Sequence, residues 1–388
     1  MISFKIKKHI VLIYLWLWWS TTTNICVKAK HSLKPGDTLN SNSSLCSKQH
    51  KFCLSFDSGG YLIIETYSIE VWRYNRNKPR DLNSSVLSLD YSGVLKIEFQ
   101  NRILPIIIYS SPQPSNNTVA TMLDTGNFVL QQLHPNGTKS LLWQSFDYPT
   151  DTLIPTMKLG INRITRHNWS LVSWLTDSLP NSGEFSLEWE PKHGELNIKK
   201  RGKVYWKSGI LKSNGLFENI PANVQQMYHY NIVSNKNEDS FAFEVKDRKF
   251  EQWFITPKGR LVADDGVRAS TDIGNADMCY GYNSDGGCQK WEDIPTCREH
   301  GEVFQKKAGT PYKKNITTIE LDVTYGYGDC KMRCWRNCNC NGFQELYDNL
   351  TGCVFYSWNS TQEGNLDGRF SYYTLVKPTK SAQNSHGT

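Results

Sequence analysis

The sequence predicts a mainly β protein, and three observations support this. Long helical periodicity is nearly absent. Short alternating or apolar runs, many of them opened by a glycine turn, fill residues 45–260. Eight cysteines fall between Cys279 and Cys353. The first two observations indicate β-sheet domains, and the third indicates a small C-terminal module that disulfides hold together because its core is thin.

Three of the glycine turns recur at a fixed interval. The runs GYLIIE, GVLKIEF and GNFVLQ begin at Gly60, Gly93 and Gly126, which are 33 residues apart. The units end near an aromatic residue, such as Trp72 or Trp143. This spacing predicts small sheets repeated around a shared core, as in a β-prism, followed by a second and less regular copy.

The first 29 residues have the pattern of a secretory signal peptide. Lys5, Lys7 and Lys8 precede an apolar run at 10–19, and small residues occupy the cleavage positions of Val27-Lys28-Ala29. A transmembrane anchor would need about 20 apolar residues, roughly twice what this run offers. No later stretch is long and apolar enough to span a bilayer, so we expect a soluble, secreted chain.

Removal of these residues changes the charge and the cysteine count. The formal charge of +7 falls to +3, which gives no indication of nucleic-acid binding. Cys26 is also removed, which leaves an even number of cysteines and favours disulfides in an oxidising compartment. The ten remaining cysteines are Cys46, Cys53, Cys279, Cys288, Cys297, Cys330, Cys334, Cys338, Cys340 and Cys353.

Glycosylation sequons also predict an exported protein. Asn-x-Ser/Thr triplets are frequent in the chain, and together with a signal peptide they indicate a glycoprotein. They begin at Asn42, Asn83, Asn116, Asn136, Asn168, Asn315, Asn349 and Asn359.

A co-linear series of motifs resembles a known family. The series consists of LDTGNFVL at 123–130, WQSFDYPTDTLIPTMKLG at 143–160, SWLTDSLPNSGEFSLEW at 173–189, YWKSG at 205–209, GGCQKW at 286–291 and GCVFY at 352–356. Together these runs resemble the extracellular region of plant S-domain (G-type lectin) receptor-like kinases and of S-locus glycoproteins. The resemblance covers nearly the whole chain after residue 29.

The resemblance implies bulb-lectin-like β-prism domains followed by a small α+β PAN/apple module. The expected parts are a signal peptide (1–29), a bulb-type lectin domain (30–157), a second lectin-like S-locus glycoprotein region (158–275), a residual growth-factor-like linker (276–296), a PAN/apple domain (297–376) and a disordered tail (377–388). Neither a membrane helix nor a kinase follows the PAN module in this sequence. We therefore expect a truncated ectodomain that cannot signal across a membrane by itself.

The sugar-binding motif of bulb lectins is incomplete. The family motif is Gln-x-Asp-x-Asn-x-Val-x-Tyr, in which alternate polar side chains bind adjacent sugar hydroxyls. Here the corresponding positions are Leu123, Thr125, Asn127, Val129 and Gln131, so only Asn127 and Val129 are kept. Each buried hydroxyl left unpaired would cost about 1–3 kcal/mol. We interpret this strand as a degenerate sugar site, in which Asn127 is a turn residue and Val129 belongs to the core.

The cysteine cluster DCKMRCWRNCNC at 329–340 predicts a disulfide-tied helix. Cys330, Cys334 and Cys338 are four residues apart and would share one helix face, with Asp329 as the N-cap. A zinc site would need a second Cys or His pair at similar spacing, and a redox site would need an exposed Cys-x-x-Cys beside a parallel sheet. Neither is present in the sequence, so no metal or cofactor is expected.

Spacing alone leaves the disulfide connectivity open. The family resemblance implies Cys330–Cys353 and Cys334–Cys340. The remaining cysteines of the C-terminal region most simply give Cys279–Cys288 and Cys297–Cys338, which leaves Cys46–Cys53 by elimination.

These observations favour a secreted, non-enzymatic recognition protein of the apoplast or cell wall. No catalytic motif or phosphate-binding glycine loop occurs. The expected partner is a protein or a glycan, with a membrane-bound receptor-like kinase as the protein candidate, in cell recognition or defence signalling. The alternative is a free defence lectin for mannose-type glycans, and a third hypothesis is a receptor fragment without a function of its own.

Overall fold

The computed structural model describes residues 30–77, 85–99, 104–111, 113–247, 251–266, 269–309, 311, 316–358 and 371–377. The predicted signal peptide and the predicted tail after Lys377 lie outside these residues. The described strands form six four-stranded sheets and one five-stranded sheet. The prediction of a mainly β protein is therefore confirmed.

Residues 32–144 form three four-stranded sheets, which we call the first sheet group. The strands are β1 (Ser32–Leu33), β2 (Thr38–Asn40), β3 (Leu45–Cys46), β4 (Cys53–Phe56), β5 (Leu62–Thr66), β6 (Ile69–Arg73), β7 (Ser85–Leu89), β8 (Leu95–Phe99), β9 (Ile106–Tyr109), β10 (Thr118–Met122), β11 (Phe128–Leu133) and β12 (Lys139–Gln144). The sheet orders are β3-β4-β5-β6, β2-β7-β8-β9 and β1-β10-β11-β12, and every pair is antiparallel.

The 33-residue interval corresponds to one sheet of this group. Gly60, Gly93 and Gly126 stand before β5, β8 and β11, with φ of 67°, 79° and 89°. Each donates its N–H to the carbonyl oxygen three residues earlier, at 2.8, 3.0 and 3.1 Å. This left-handed conformation suits glycine, which has no Cβ to clash. Trp72 and Trp143 lie on the last strands of two of these sheets and are buried.

Residues 152–275 form three further four-stranded sheets, the second sheet group. The elements are β13 (Thr152–Leu153), β14 (Leu159–Asn162), β15 (His167–Trp169), β16 (Leu171–Thr176), β17 (Leu179–Glu190), β18 (Glu195–Lys200), β19 (Lys203–Lys207), the short helix α1 (Ala222–Gln225), β20 (Tyr228–Ser234), β21 (Glu238–Val245), β22 (Gln252–Ile255), β23 (Arg260–Asp264) and β24 (Thr271–Asn275). The sheet orders are β16-β17-β18-β19, β15-β14-β21-β20 and β13-β22-β23-β24.

The start of the second sheet group differs from the predicted boundary after residue 157. Thr152 and Leu153 already pair with Phe254 and Trp253 of β22. The first sheet group ends at Gln144, and a 3₁₀ turn at Ser145–Asp147 follows it. The turn-forming residues before the predicted boundary therefore mark the connection, and Thr152 begins the next group.

The core of the second sheet group is rich in aromatic side chains. Trp253 is fully buried, and its ring stacks on Phe243 at a centroid distance of 4.5 Å. Tyr228 and Tyr230 meet the same indole edge-on at 5.1 and 6.1 Å. Aromatic residues bury large apolar areas, so this cluster stabilises a region that has no disulfide between β13 and β24.

The C-terminal part contains a five-stranded antiparallel sheet and one longer helix. Its elements are β25 (Val303–Ala308), β26 (Ile316–Glu320), the helix α2 (Tyr327–Arg336), β27 (Gly342–Glu345), β28 (Cys353–Tyr356) and β29 (Ser371–Val376). The sheet order is β25-β29-β27-β28-β26, and α2 packs on β27 and β28. Among the described residues, no helix is long and apolar enough to cross a bilayer.

Two expectations for the cysteine cluster are wrong. The helix has Gly326 as its N-cap residue, so Asp329 lies inside the first turn and does not cap it. Instead, the Asp329 carboxylate accepts a hydrogen bond from Arg201 Nε at 2.9 Å. The helix also ends at Arg336, because Asn337 is extended, so Cys338 lies beyond it and does not share its face.

Candidate functional site

The structure directs the kept sugar-motif residues inward. Asn127 is 8% exposed, and its Oδ1 accepts hydrogen bonds from Ser145 Oγ at 3.1 Å and Phe146 N at 3.3 Å. Its Nδ2 donates to Gln144 Oε1 at 2.9 Å. Val129 is buried. The polar atoms of Asn127 therefore fix the chain segment that follows β12 and do not face a ligand.

The structure brings together each of the five predicted cysteine pairs. Disulfides join Cys46 to Cys53, Cys279 to Cys288, Cys297 to Cys338, Cys330 to Cys353 and Cys334 to Cys340. The pair Cys330–Cys353 ties α2 to β28, and Cys334–Cys340 closes the turn after α2. In the described residues, no group of three or more His, Cys, Asp and Glu side chains is arranged to hold a metal ion.

The described sequon asparagines are all exposed. They lie at Asn42, Asn116, Asn136, Asn168 and Asn349. The predicted sites at Asn83, Asn315 and Asn359 lie outside the described residues. An exposed asparagine is compatible with an attached glycan.

A groove of about 850 Å³ lies between the second sheet group and the C-terminal sheet. The turn between β18 and β19 forms one wall, and β26 and α2 form the other. We call it the arginine groove. It is lined by Lys200, Arg201, Lys203, Tyr205, Thr318, Glu320, Tyr325, Asp329, Met332, Arg333, Arg336, Asn337 and Phe355.

The arginine side chains of this groove are paired but stay half exposed. Arg333 Nη1 contacts Glu320 Oε1 at 3.0 Å, and its guanidinium lies 4.2 Å from the ring centre of Tyr325. Arg336 and Lys203 share one carboxylate, that of Asp293, at 3.1 and 3.2 Å. The arginine side chains are 44–56% exposed. A guanidinium has five donors, so each retains donors for an outside acceptor.

A buried ion pair lies beneath the groove. Lys200 Nζ is 3.1 Å from Glu184 Oε2, and it also donates to the carbonyl oxygen of Gly328 in α2. Burial raises the pKa of Glu184 to about 7, with the Lys200 charge acting in the opposite direction. Burial lowers the pKa of Lys200. This pair fastens the first turn of α2 to the second sheet group.

A second buried lysine holds the other side of the helix. Lys331 Nζ contacts Asp277 Oδ1 at 2.6 Å and lies 4.2 Å from the ring centre of Tyr280. Gly328 fits closely between the two fastenings, because a Cβ there would lie 2.3 Å from Glu184 Oε1. The wall formed by α2 is therefore fixed to the second sheet group by buried charges on both sides.

The sequence analysis did not identify these groove residues. Lys200 and Arg201 end a strand-like run and have the pattern of solvated charges. The three-residue spacing of Arg333 and Arg336 was a usable signal, since residues three apart lie on one helix face. No local signal brings residue 200 next to residue 329.

Comparison with known proteins places the chain first in a class of lectins. The family model described as D-mannose binding lectin matches residues 69–175. The mannose-specific agglutinin of snowdrop, solved with methyl-α-D-mannoside, aligns with 26% of this chain and 88% of its own at 19% identity and a TM-score of 0.21. The chain therefore contains a bulb-type lectin domain.

The sequence relatives are more specific. A G-type lectin S-receptor-like serine/threonine-protein kinase of Arabidopsis thaliana is 29% identical over 80% of this chain and 41% of its own length. An S-locus-specific glycoprotein of Brassica oleracea is 28% identical over 86% of both chains. This protein is thus a relative of the S-domain receptor kinases and S-locus glycoproteins, and the predicted resemblance is confirmed. The chain spans less than half the length of that kinase.

Proposed function

We propose that this chain is an extracellular recognition protein that binds its partner through the arginine groove. The observation that carries the proposal is the groove itself, an open site whose half-exposed guanidinium groups retain hydrogen-bond donors. Asn127 supports the same choice, because its polar atoms are engaged within the chain. In this proposal the chain acts by binding and catalyses no reaction.

Secretion and the division into domains belong to the same proposal. The apolar run before Ala29, the paired cysteines after it and the exposed sequon asparagines support cleavage of a signal peptide, glycosylation and an apoplast or cell-wall location. The predicted parts at 30–157, 158–275, 276–296 and 297–376 serve as the working division. The proposed partner is a membrane-bound receptor-like kinase, with this chain as decoy or co-receptor, because relatives of this chain include such kinases.

The test measures binding of the secreted chain to protoplasts from its native tissue. We expect Arg336→Glu to lower binding at least tenfold, because it reverses a charge in the groove. Arg260→Glu is the matched control, since this arginine is similarly exposed and is paired with Asp272 outside the groove. Equal binding of both variants and the wild type would contradict the proposal.

A glycan array separates this function from the alternative of a free defence lectin. The D-mannose binding family match favours that alternative. We expect no binding to mannose-type glycans that free methyl mannoside competes away. Specific, competed binding would make the defence lectin the better account, and co-purification with no receptor kinase would remove the proposed partner.

A further inference from the structure

The outer edge of the C-terminal sheet is open for strand addition. β26 is the last strand in the sheet order and pairs with β28 alone among the described strands. An edge strand presents unpaired backbone N–H and C=O groups on its outer side. An extended segment of another chain can use these groups as a template.

This edge lacks the usual protection against such pairing. The strand reads ITTIE and contains neither lysine nor proline, the residues that commonly block edges. Ile319 is 48% exposed, and Leu321 and Val323 directly after the strand are 67% and 58% exposed. Apolar side chains exposed along an edge mark a surface that a partner covers.

The two faces of β26 differ in charge. Thr318 and Glu320 point toward the arginine groove, where Arg333 and Arg336 lie. Ile319 lies on the opposite face, because side chains alternate along a strand. An added strand would follow the same alternation, so one of its faces would meet guanidinium groups and the other would meet apolar side chains.

We propose that an extended segment of a partner protein adds to β26, with acidic side chains toward the arginine groove and apolar side chains beside Ile319. The inference rests on the proposed function and specifies the partner chemistry of the same groove. Carboxylates suit this position, because a guanidinium binds them with two parallel hydrogen bonds. Backbone pairing supplies affinity, and the alternate side chains supply specificity.

The test uses the full secreted chain and a synthetic nonapeptide of alternating Glu and Val, with binding measured by fluorescence anisotropy. We expect N-methylation of alternate backbone nitrogens to weaken binding about tenfold when it removes the paired N–H groups. Replacement of Glu by Gln should weaken it by a similar factor, because the carboxylates are lost. Equal affinity of the N-methylated and unmodified peptides overturns strand addition.

Matched variants localise the binding. Ile319→Lys places a blocking charge on β26, and we expect about a tenfold loss. Ile232→Lys is the control, since Ile232 is 41% exposed on β20, an edge strand of the second sheet group. Arg336→Glu should lower affinity and Arg260→Glu should not. Equal effects of the two isoleucine variants overturn the placement on β26.

Two outcomes separate this inference from the proposed function. If neither peptide binds, or if oligogalacturonate binds and displaces the peptide, the acidic protein segment is wrong. The proposed function still stands in that case if Arg336→Glu abolishes binding to protoplasts. If binding to protoplasts does not depend on Arg336, the proposed function fails whatever the peptide does.

Discussion

The two sheet groups share part of their strand order but differ in where the pattern is broken. In the first group, one glycine turn recurs every 33 residues and each recurrence belongs to one sheet. In the second group, Gly194 and Gly259 hold the corresponding turns of the outer sheets, and they are 65 residues apart, close to two such intervals. The middle sheet joins two hairpins, β14-β15 and β20-β21, so the repeat is lost there.

This difference separates scaffold from candidate site. The regular group uses Asn127, its one kept polar sugar-motif residue, to fix its own chain. The less regular group supplies Lys200 and Arg201 to the groove and Glu184 to the buried pair. Departures from regular patterns are expected at functional sites. The following predictions test whether the two groups differ in this way, from the largest expected effect to the smallest.

The largest effect is expected in the aromatic core of the second group. Trp253→Ala removes a fully buried indole that contacts Phe243, Tyr228 and Tyr230, and should lower the free energy of unfolding by about 3–5 kcal/mol. Urea unfolding followed by circular dichroism measures this. Ile164→Ala, at an exposed turn residue, is the control, and we expect a change within about 0.5 kcal/mol. A loss below about 1 kcal/mol for Trp253→Ala would contradict the packing described above.

Disulfide removal compares the C-terminal module with the first sheet group. Replacing Cys330 and Cys353 by serine should cost about 3 kcal/mol, and replacing Cys46 and Cys53 about 2 kcal/mol. The reason is loop length, since the sequence separations are 23 and 7 residues. Urea unfolding of both double variants gives the two values. The reverse order would show that strain or residual structure in the unfolded chain outweighs loop entropy.

The buried carboxyl of Glu184 should make stability depend on pH. Its pKa is raised to about 7 from the usual 4.5, because burial disfavours its charged form. Between these values the folded chain binds more protons than the unfolded chain, so the free energy of unfolding falls as pH rises. The slope from this single group is at most about 1.4 kcal/mol per pH unit.

Glu184→Gln tests this pH dependence. The variant does not titrate at this position, so its free energy of unfolding should vary less between pH 4.5 and 7 than that of the wild type. Urea unfolding at several pH values measures both slopes. Glu188→Gln on the same strand is the control, since its side chain is more exposed. Identical slopes for Glu184→Gln and the wild type would show that Glu184 stays ionised throughout.

The smallest effect concerns Asn127 in the first group. Asn127→Ala leaves the Ser145 hydroxyl and the Phe146 N–H without their acceptor, which should cost about 1–2 kcal/mol of stability. Binding to protoplasts should be unchanged, because the residue fixes the chain and does not contact the partner. A variant that folds with wild-type stability but loses binding would instead indicate a working sugar site.

Local patterns predicted much of the fold but little of the groove. The glycine turns and the buried Trp72 and Trp143 were predictable, because turn chemistry and strand alternation act over a few residues. The arginine groove was not, because Arg201 and Arg333 are far apart in the chain and meet only when β18, β19 and α2 assemble. The capping prediction for Asp329 failed for the same reason, since a distant arginine binds its carboxylate.

Gly328 has a consequence for separating folding from docking. In a helix, alanine is more favourable than glycine by about 1 kcal/mol, so Gly328→Ala should strengthen α2 taken alone. The added methyl group would nevertheless press against the Glu184 carboxylate, 2.3 Å away. One methyl group thus acts on the two levels with opposite sign, as a brace within the helix and as a wedge at its seat. Such an allele would leave the C-terminal module folded while loosening the wall of the groove.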